Sequence, residues 1–428
     1  MKKRLFVFII LSIGHRAYAQ DQVEASEEFK IKAEIRPRAE VRNGYRTLRH
    51  DTTRAAFFIS QRSRLQFRYQ RVGLIFHTSV QDVRVWGETV PGSTERSTLE
   101  VFETYIQPSI IKSLSVRIGR QQISYDNQRL FSESNFHQNG RTHDAVRFIY
   151  DSDKLKMELV GAFNQNGERI FETNYSPSFD NYKVLLVHYM RYYLSEDITF
   201  TSLNATDGYQ DKTNPRVTHY RFTNGGRVEY EHGDWYLTLA GYYQQGHSAT
   251  GKDIKAYYFQ PEVKFKPNIR AAFWLGAEIF SGEDINNDAI TRSFVPLYGS
   301  NHKFLGNLDY FTSYPVDFNN LGIINPYLFL VYDLTKKLSI RIDNHLFYSA
   351  EVLNDHVSSK YLGFENDISF LYSPNDCTKL NFGFSWMVAR ESMELVKNGG
   401  NSNITPYWSY LEMTFTPELF KWTAKGTQ

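Results

Sequence analysis

Phe29-Lys30-Ile31-Lys32-Ala33-Glu34-Ile35-Arg36-Pro37-Arg38-Ala39-Glu40-Val41-Arg42 alternates without a break: each odd position is apolar or small, each even one fully charged. Successive side chains of a strand point to opposite faces, so a strand here shows hydrocarbon to one side and ions to the other. A soluble sandwich also alternates, but its outward face meets bulk water and tolerates any polar mixture. Lipid outside and a water-filled lumen inside account for both faces of this segment.

The first residues agree with an exported chain. Lys2, Lys3 and Arg4 precede an apolar run from Leu5 to Ile13, and Ala17-Tyr18-Ala19 has the small-x-small form that signal peptidase accepts. Residues 1–19 therefore read as a secretory signal, cut before Gln20. Its apolar run is short for a bilayer, and nothing later reaches the roughly 18 unbroken apolar residues of a spanning helix. If residues 20–428 enter a membrane, they must do so as a closed barrel.

Composition excludes the main alternatives. A chain of 428 residues with mean hydropathy −0.47, 16% aromatics, 29 Tyr and 32 Phe is too polar for a helical membrane protein and too aromatic for disorder. No linker or low-complexity tract divides it, so one domain is expected. Cys377 is the single cysteine, which leaves neither a disulfide framework nor a thiolate metal site. A net charge of +2 gives no reason to expect nucleic acid.

About 18 strand-like segments of roughly 9 to 11 residues follow one another. Terse turns fall at Gln70–Gly73, Asp151–Lys154, Ser195–Asp197, Glu231–Asp234, Lys266–Asn268, Leu334–Lys337 and Ser373–Thr378. Long connections fall between them, at Asn43–Thr53, Gly87–Ser97, Ser124–Thr142, Gln165–Asn181, Ala205–Pro215, Ser281–Pro315 and Met393–Ile404. The expected fold is thus all-β: a transmembrane antiparallel β-barrel with short periplasmic turns and long extracellular loops. An even strand number puts both termini, and Cys377, on the periplasmic side.

Parity then assigns the lumen. Arg36, Arg38, Arg62, Arg64, Arg68, Arg84 and Arg147 are expected inside, with Glu34, Glu40, Asp82 and Glu103 among them. Later strands add Glu229, Glu262, Glu278, Asp343, Glu365 and Asp367 beside Arg227, Lys264 and Arg341. Such charges either neutralise one another to hold strands and loops in place, or present fixed arginines that concentrate anions in a narrow lumen. The alternation slips at Val80–Trp86 and Ile118–Tyr125, where a bulge is expected. Tyr182, Tyr189, Tyr192, Tyr193, Tyr407, Trp408 and Tyr410 read as membrane-interface anchors. Trp86, Tyr105 and Trp274 are candidates for sugar stacking in the lumen.

Catalysis has little support. His143-Asp144 lies near Ser132 and Ser134, but no GxSxG elbow accompanies them, and the 12 histidines are dispersed without an HExxH. Arginines beside the lumen carboxylates would keep both members of a glycosidase-like pair ionised, removing the general acid. No catalytic residue, metal or cofactor is expected.

The segments Gly119-Arg120-Gln121-Gln122, Tyr125-Asp126-Asn127-Gln128-Arg129-Leu130, Phe136, Gly140-Arg141 and Asp144-Ala145-Val146-Arg147 together resemble the alginate export family of outer-membrane porins. A later set, Phe294, Pro296-Leu297-Tyr298-Gly299, His302-Lys303-Phe304, Gly306 and Asp309-Tyr310-Phe311, is similar to it as well. The resemblance implies a monomeric barrel in the Gram-negative outer membrane, with inward-folded loops and an arginine-lined constriction that passes an anionic polysaccharide such as alginate. It implies that Arg120, Arg129, Arg141 and Arg147 flank the constriction, that Asp126 and Asp144 pair with some of them, and that Ser281–Pro315 is a candidate gate. Partners would be outer-membrane lipid, an anionic saccharide or other anionic solute, and a periplasmic export or assembly factor. The chain departs from the family in having Phe136 where a Trp is common, and Lys421–Gln428 read as a tail beyond the last strand. A general diffusion porin, a barrel esterase or phospholipase, and a loop-mediated adhesin are the competing readings.

Overall fold

The computed structural model describes residues 27–89, 98–175, 181–283, 290–352 and 359–424. The signal reading of residues 1–19 lies outside them, as do 90–97 of the second long connection and 425–428 of the expected tail. The described residues form a closed antiparallel barrel of 18 strands. In chain order these are β1 (Glu27–Asn43), β2 (Ala56–Arg71), β3 (Leu74–Val85), β4 (Glu100–Ile111), β5 (Leu114–Gln121), β6 (His143–Asp151), β7 (Leu155–Phe163), β8 (Val184–Tyr193) and β9 (Ile198–Gln210). They continue as β10 (Thr218–His232), β11 (Trp235–His247), β12 (Asp253–Asn268), β13 (Ala271–Phe280), β14 (Ile323–Asp333), β15 (Leu338–Ser349), β16 (Tyr361–Asn375), β17 (Thr378–Ala389) and β18 (Tyr407–Phe415).

The ladder closes where β18 pairs with β1, from Asn43↔Tyr407 to Ile35↔Phe415. Past Pro417, whose carbonyl accepts from Ala33 N–H at 3.1 Å, the chain resumes as Glu418–Ala424 on the same edge, with Lys30↔Lys421 and Glu27↔Ala424. The expected tail is therefore corrected: Lys421 to Ala424 belong to the final stave, and Phe420 and Trp422 are exposed on it. Without this segment the lower half of β1 would be an open edge, an invitation to pair with another chain.

The alternation of β1 gives the two faces that the sequence demands. Arg36, Arg38 and Glu40 are buried inside, while Ile35 is 48% exposed outside. The same outward exposure recurs at Phe148, Leu159, Leu186, Phe222, Leu275 and Leu328, and Tyr192, Tyr230, Trp235, Tyr332 and Tyr372 ring the end with the short turns. Lys112 and Ser113 form one further tight turn that the sequence reading passed over.

Four expected membrane anchors are corrected. Tyr182, Tyr189, Trp408 and Tyr410 are buried in the interior, because the lumen is not an empty tube but holds an aromatic core. That core comes from the two connections after β5 and β13, which contribute Ile123, Leu130, Phe131, Phe294, Leu308, Phe311 and Phe318. Both parity slips coincide with real irregularities. Register shifts between Ser79 and Val80, so Phe102 is buried and Glu103 also lies inward, opposite Ser79. Gly119 sits at φ +125 with Thr104 O only 2.3 Å from where a Cβ would be, so no other residue fits there.

Candidate functional site

The two inserted connections, residues 122–142 and 281–322, meet in the middle of the lumen. Tyr298 N–H donates to Leu130 O at 2.9 Å, Ser132 N–H to Tyr298 O at 3.0 Å and Ser300 N–H to Gln128 O at 3.2 Å, which makes a short ladder between them. Arg141 donates to the carbonyls of Tyr298 and Gly299, and Gly299 is required because a Cβ there would fall 1.8 Å from Arg129 O. Arg129 pins the ladder to the barrel: it stands 2.8 Å from Glu278 of β13, donates to Asn301 Oδ1 at 3.1 Å, and lies over the Phe280 and Phe304 rings. Both members of this pair are buried, so losing either would strand the other charge.

The arginines of β1 and β2 grip the first connection by its backbone. Arg36 donates to Asn135 O (2.6 Å), His137 O (3.1 Å) and Gln138 Oε1 (3.0 Å). Arg38 donates to Phe136 O at 2.9 Å and stacks on the Phe136 ring. Arg62 donates to Gln138 O and Asn135 Oδ1 while paired with Glu34 at 2.5 Å. Glu40 and Glu412 neutralise part of the cluster, with Glu40 also accepting from Arg42 and Trp408. Arg64 differs: it bonds Gln81 and lies 3.6 Å from the Phe102 ring, touching no loop carbonyl. Arg68 faces inward lower down, opposite His77 and Lys30, and donates to Gln70 Oε1 at 3.2 Å.

The second connection is held by carboxylates. Glu365 accepts from Leu308 N–H at 2.8 Å and Asp367 from Asn307 N–H at 3.3 Å. Asp309 accepts from Tyr45 and lies 2.7 Å from His302 Nδ1, whose ring stacks on Phe136 at 3.7 Å. Burial by itself would raise the Asp309 carboxyl, but the charge and hydrogen bond of His302 and the Tyr45 hydroxyl outweigh it and hold the group down at about 2. Burial pushes the neighbouring His137 ring down to about 4. His302, Asp309 and Tyr45 thus tie both connections to the β1–β2 loop. None of these three was singled out as a site residue in the sequence, since loop residues follow no periodicity.

The remaining expected lumen residues divide. Arg147 pairs inside with Glu158 at 2.5 Å, Glu103 lies 3.6 Å from His77, and Asp126 accepts from Tyr189 and Thr201 on the wall. Arg84 and Asp82, expected inside, pair with each other on the outer face in register with Gln61 and Ser63. Arg120 and Asp144 likewise pair in the outward parity of Ile118 and Val146 at 2.8 Å, and at the rim both also border the extracellular cavity. All four lie near the extracellular ends of their strands, where the outward face meets headgroups and water, so outward no longer means apolar. His143 faces inward to Tyr182 OH at 2.8 Å while Asp144 faces out, so these neighbours assemble no Ser–His–Asp relay. Trp86 is exposed outside, whereas Tyr105 and Trp274 face the interior.

The ladder stands between two cavities. The extracellular one, about 890 Å³, is lined by Tyr182, Tyr209, Tyr298, Tyr314, Arg141 and Arg221. The periplasmic one, about 420 Å³, is lined by Arg227, Lys303, Arg341, Glu262, Asp343 and Trp274.

A closed barrel with an apolar exterior, a charged interior and loops folded into its lumen defines an outer-membrane channel. The chain belongs to the alginate export family, whose profile matches residues 27–385. No curated protein matches it. In fold it is similar to Pseudomonas aeruginosa OpdL (10% identity, 92% of this chain and 99% of that one, TM-score 0.63). It is similar too to a BenF-like porin from Pseudomonas fluorescens Pf-5 (12%, 91% and 99%, 0.62) and to Pseudomonas aeruginosa OpdK crystallised with vanillate (11%, 92% and 99%, 0.59). The protein is accordingly a transport barrel of the Gram-negative outer membrane.

Proposed function

We propose that the barrel passes anionic solutes, an anionic oligosaccharide or polysaccharide among them, through a lumen narrowed by the two inserted connections. What carries the reading is the charge balance where the first connection is held: among the described residues the five arginines Arg36, Arg38, Arg42, Arg62 and Arg64 face the four carboxylates Glu34, Glu40, Glu412 and, beside Arg64, Glu103. Fixed surplus positive charge between low-dielectric walls raises the local anion concentration, an effect that salt weakens. Membership of the alginate export family supports a saccharide as the solute. No catalytic role is proposed for any residue.

The test separates charge from architecture. Arg64 and Arg68 hold no loop carbonyl, so R64Q/R68Q removes two charges and leaves the constriction fastened. In planar bilayers the parent should prefer anions, and the variant's anion-to-cation permeability ratio should fall about two- to threefold at unchanged conductance. A parent that prefers cations, or a variant with unaltered preference, would overturn the reading. A second reading has one observation in its favour: four tyrosines and three arginines line the extracellular cavity, a setting suited to small aromatic acids, and OpdK was crystallised with vanillate. Block of the current by an aromatic carboxylate at lower concentration than by an anionic oligosaccharide would favour it.

A further inference from the structure

An inward row near the periplasmic turns of β12 to β15 runs Lys264, Trp274, Phe329 and Asp343, each directly opposite the next across its strand pair. Lys264 Nζ stands 4.4 Å over the Trp274 ring, and the Arg341 guanidinium lies 5.1 Å over Phe329 and 6.0 Å from the same indole. Tyr327 stacks on Phe329 at 4.4 Å and extends this aromatic shelf toward the ladder. Trp274, read from the sequence as a seat for a sugar ring, therefore seats cations, which are drawn to the electron-rich face of an aromatic ring.

Both cations keep unused donors. Arg341 gives only its Nε to Asp343, at 2.7 Å, so its terminal nitrogens make no hydrogen bond among the described residues, and its side chain is 44% exposed. Lys264 makes neither a hydrogen bond nor an ion pair among the described residues. At the other end of the periplasmic cavity, beside the ladder, Lys303 Nζ donates to Asn127 O at 2.9 Å and has no carboxylate at ion-pair distance among the described residues. Burial and the charges of Arg341 and Arg227 push that ammonium down, as expected where cations converge on one space. The carboxylates lining the same space are engaged: Asp343 with Arg341, Glu262 with Tyr327 OH at 2.7 Å, and Asp367 with Asn307 N–H at 3.3 Å. Elsewhere the wall offers amides and hydroxyls, Gln128, Asn135, Ser300 and Ser369 among them.

We propose that the periplasmic cavity is a binding subsite for one sugar acid unit, its carboxylate held between Arg341 and Lys264 over the Trp274–Phe329 shelf and its hydroxyls facing the amides and hydroxyls of the wall. A guanidinium with both terminal nitrogens open takes a carboxylate as a fork, and an ammonium seated on an indole keeps donors for a second bond. An anion at that point also relieves the repulsion between two like charges held at one ring. The inference rests on the reading of the barrel as an anion channel. It adds a place where the solute is held, on strands other than β1 and β2, whose arginines fasten the constriction.

The experiment measures binding of trigalacturonate and of neutral maltotriose to the folded barrel in detergent by titration calorimetry, beside the anion-to-cation permeability ratio in planar bilayers. The parent should bind the acidic trimer about tenfold more tightly than the neutral one. K264Q/R341Q should weaken trigalacturonate binding about tenfold, and Trp274→Leu, which keeps both charges and removes their seat, about threefold. Heat-modifiable gel mobility shows that each variant is folded. K32Q/R117Q, which removes two inward cations of β1 and β5 at the same end of the lumen, should bind the acidic trimer as the parent does. Equal affinity of the parent for both trimers, parental affinity in K264Q/R341Q or Trp274→Leu, or an equal loss in K32Q/R117Q would each overturn the inference. A parent that prefers cations in the bilayer yet shows this pattern of binding would uphold the subsite and overturn the transport reading alone.

Discussion

His137 links loop position to pH. Burial pushes its ring down to about 4, aided by His302, Arg46 and Arg38 and opposed by Asp309, against an ordinary value of 6.5. Between those values the unfolded chain holds a proton that the folded chain excludes, so stability falls as pH drops from about 6.5 to about 4. The full effect is roughly 3 kcal/mol, and His137→Gln should flatten the slope in denaturant titrations at pH 7 and pH 5. Asp309 behaves oppositely: its depressed value means that its contribution is present above the ordinary 3.8 and lost only as pH falls through about 2. Asp309→Asn should therefore cost about 1.5 to 3 kcal/mol at neutral pH, measured by the same titration. Neither residue was legible as a site in the sequence, because what makes each matter is burial among three separate loops.

At the level of strands and loops, the charged face of β1 was readable from period-2 alternation, and so were Arg62, Arg64 and Arg68 on β2. Arg84, Arg120 and Asp144 were not, because near the extracellular rim the outward face stops being apolar and parity loses its marker. What alternation could not convey is the task of the inward arginines. Arg36 and Arg62 hold the carbonyls of residues 135, 137 and 138. The R36Q/R62Q variant should release that stretch from the wall and give a larger single-channel conductance with more open-state noise. R64Q/R68Q should alter selectivity alone. A double variant R36Q/R62Q with parental conductance would show that other contacts suffice to keep the connection in place.

For the molecule as a whole, closure depends on the last few residues. Deleting residues 418–428 would leave Glu27–Lys32 of β1 unpaired on the edge away from β2, and the assembled, heat-modifiable barrel should be lost or strongly reduced in outer-membrane fractions. Orientation is testable with the single cysteine. Cys377 lies exposed in the tight turn between β16 and β17, so an impermeant thiol reagent should label it in permeabilised cells and not in intact ones. Labelling of intact cells would reverse the barrel.

By itself the sequence determined the barrel, its period-2 faces, its alternation of short and long connections and the charged wall of β1 and β2. These are local properties: each strand must separate lipid from water along its own length, and that demand is written residue by residue. The tertiary structure alone decided that the lumen is filled, which carbonyls the arginines hold and which carboxylates fix the second connection. Those contacts join residues distant in sequence, such as Arg36 with Asn135 and Tyr45 with Asp309, through single polar side chains that impose no repeating pattern on the chain.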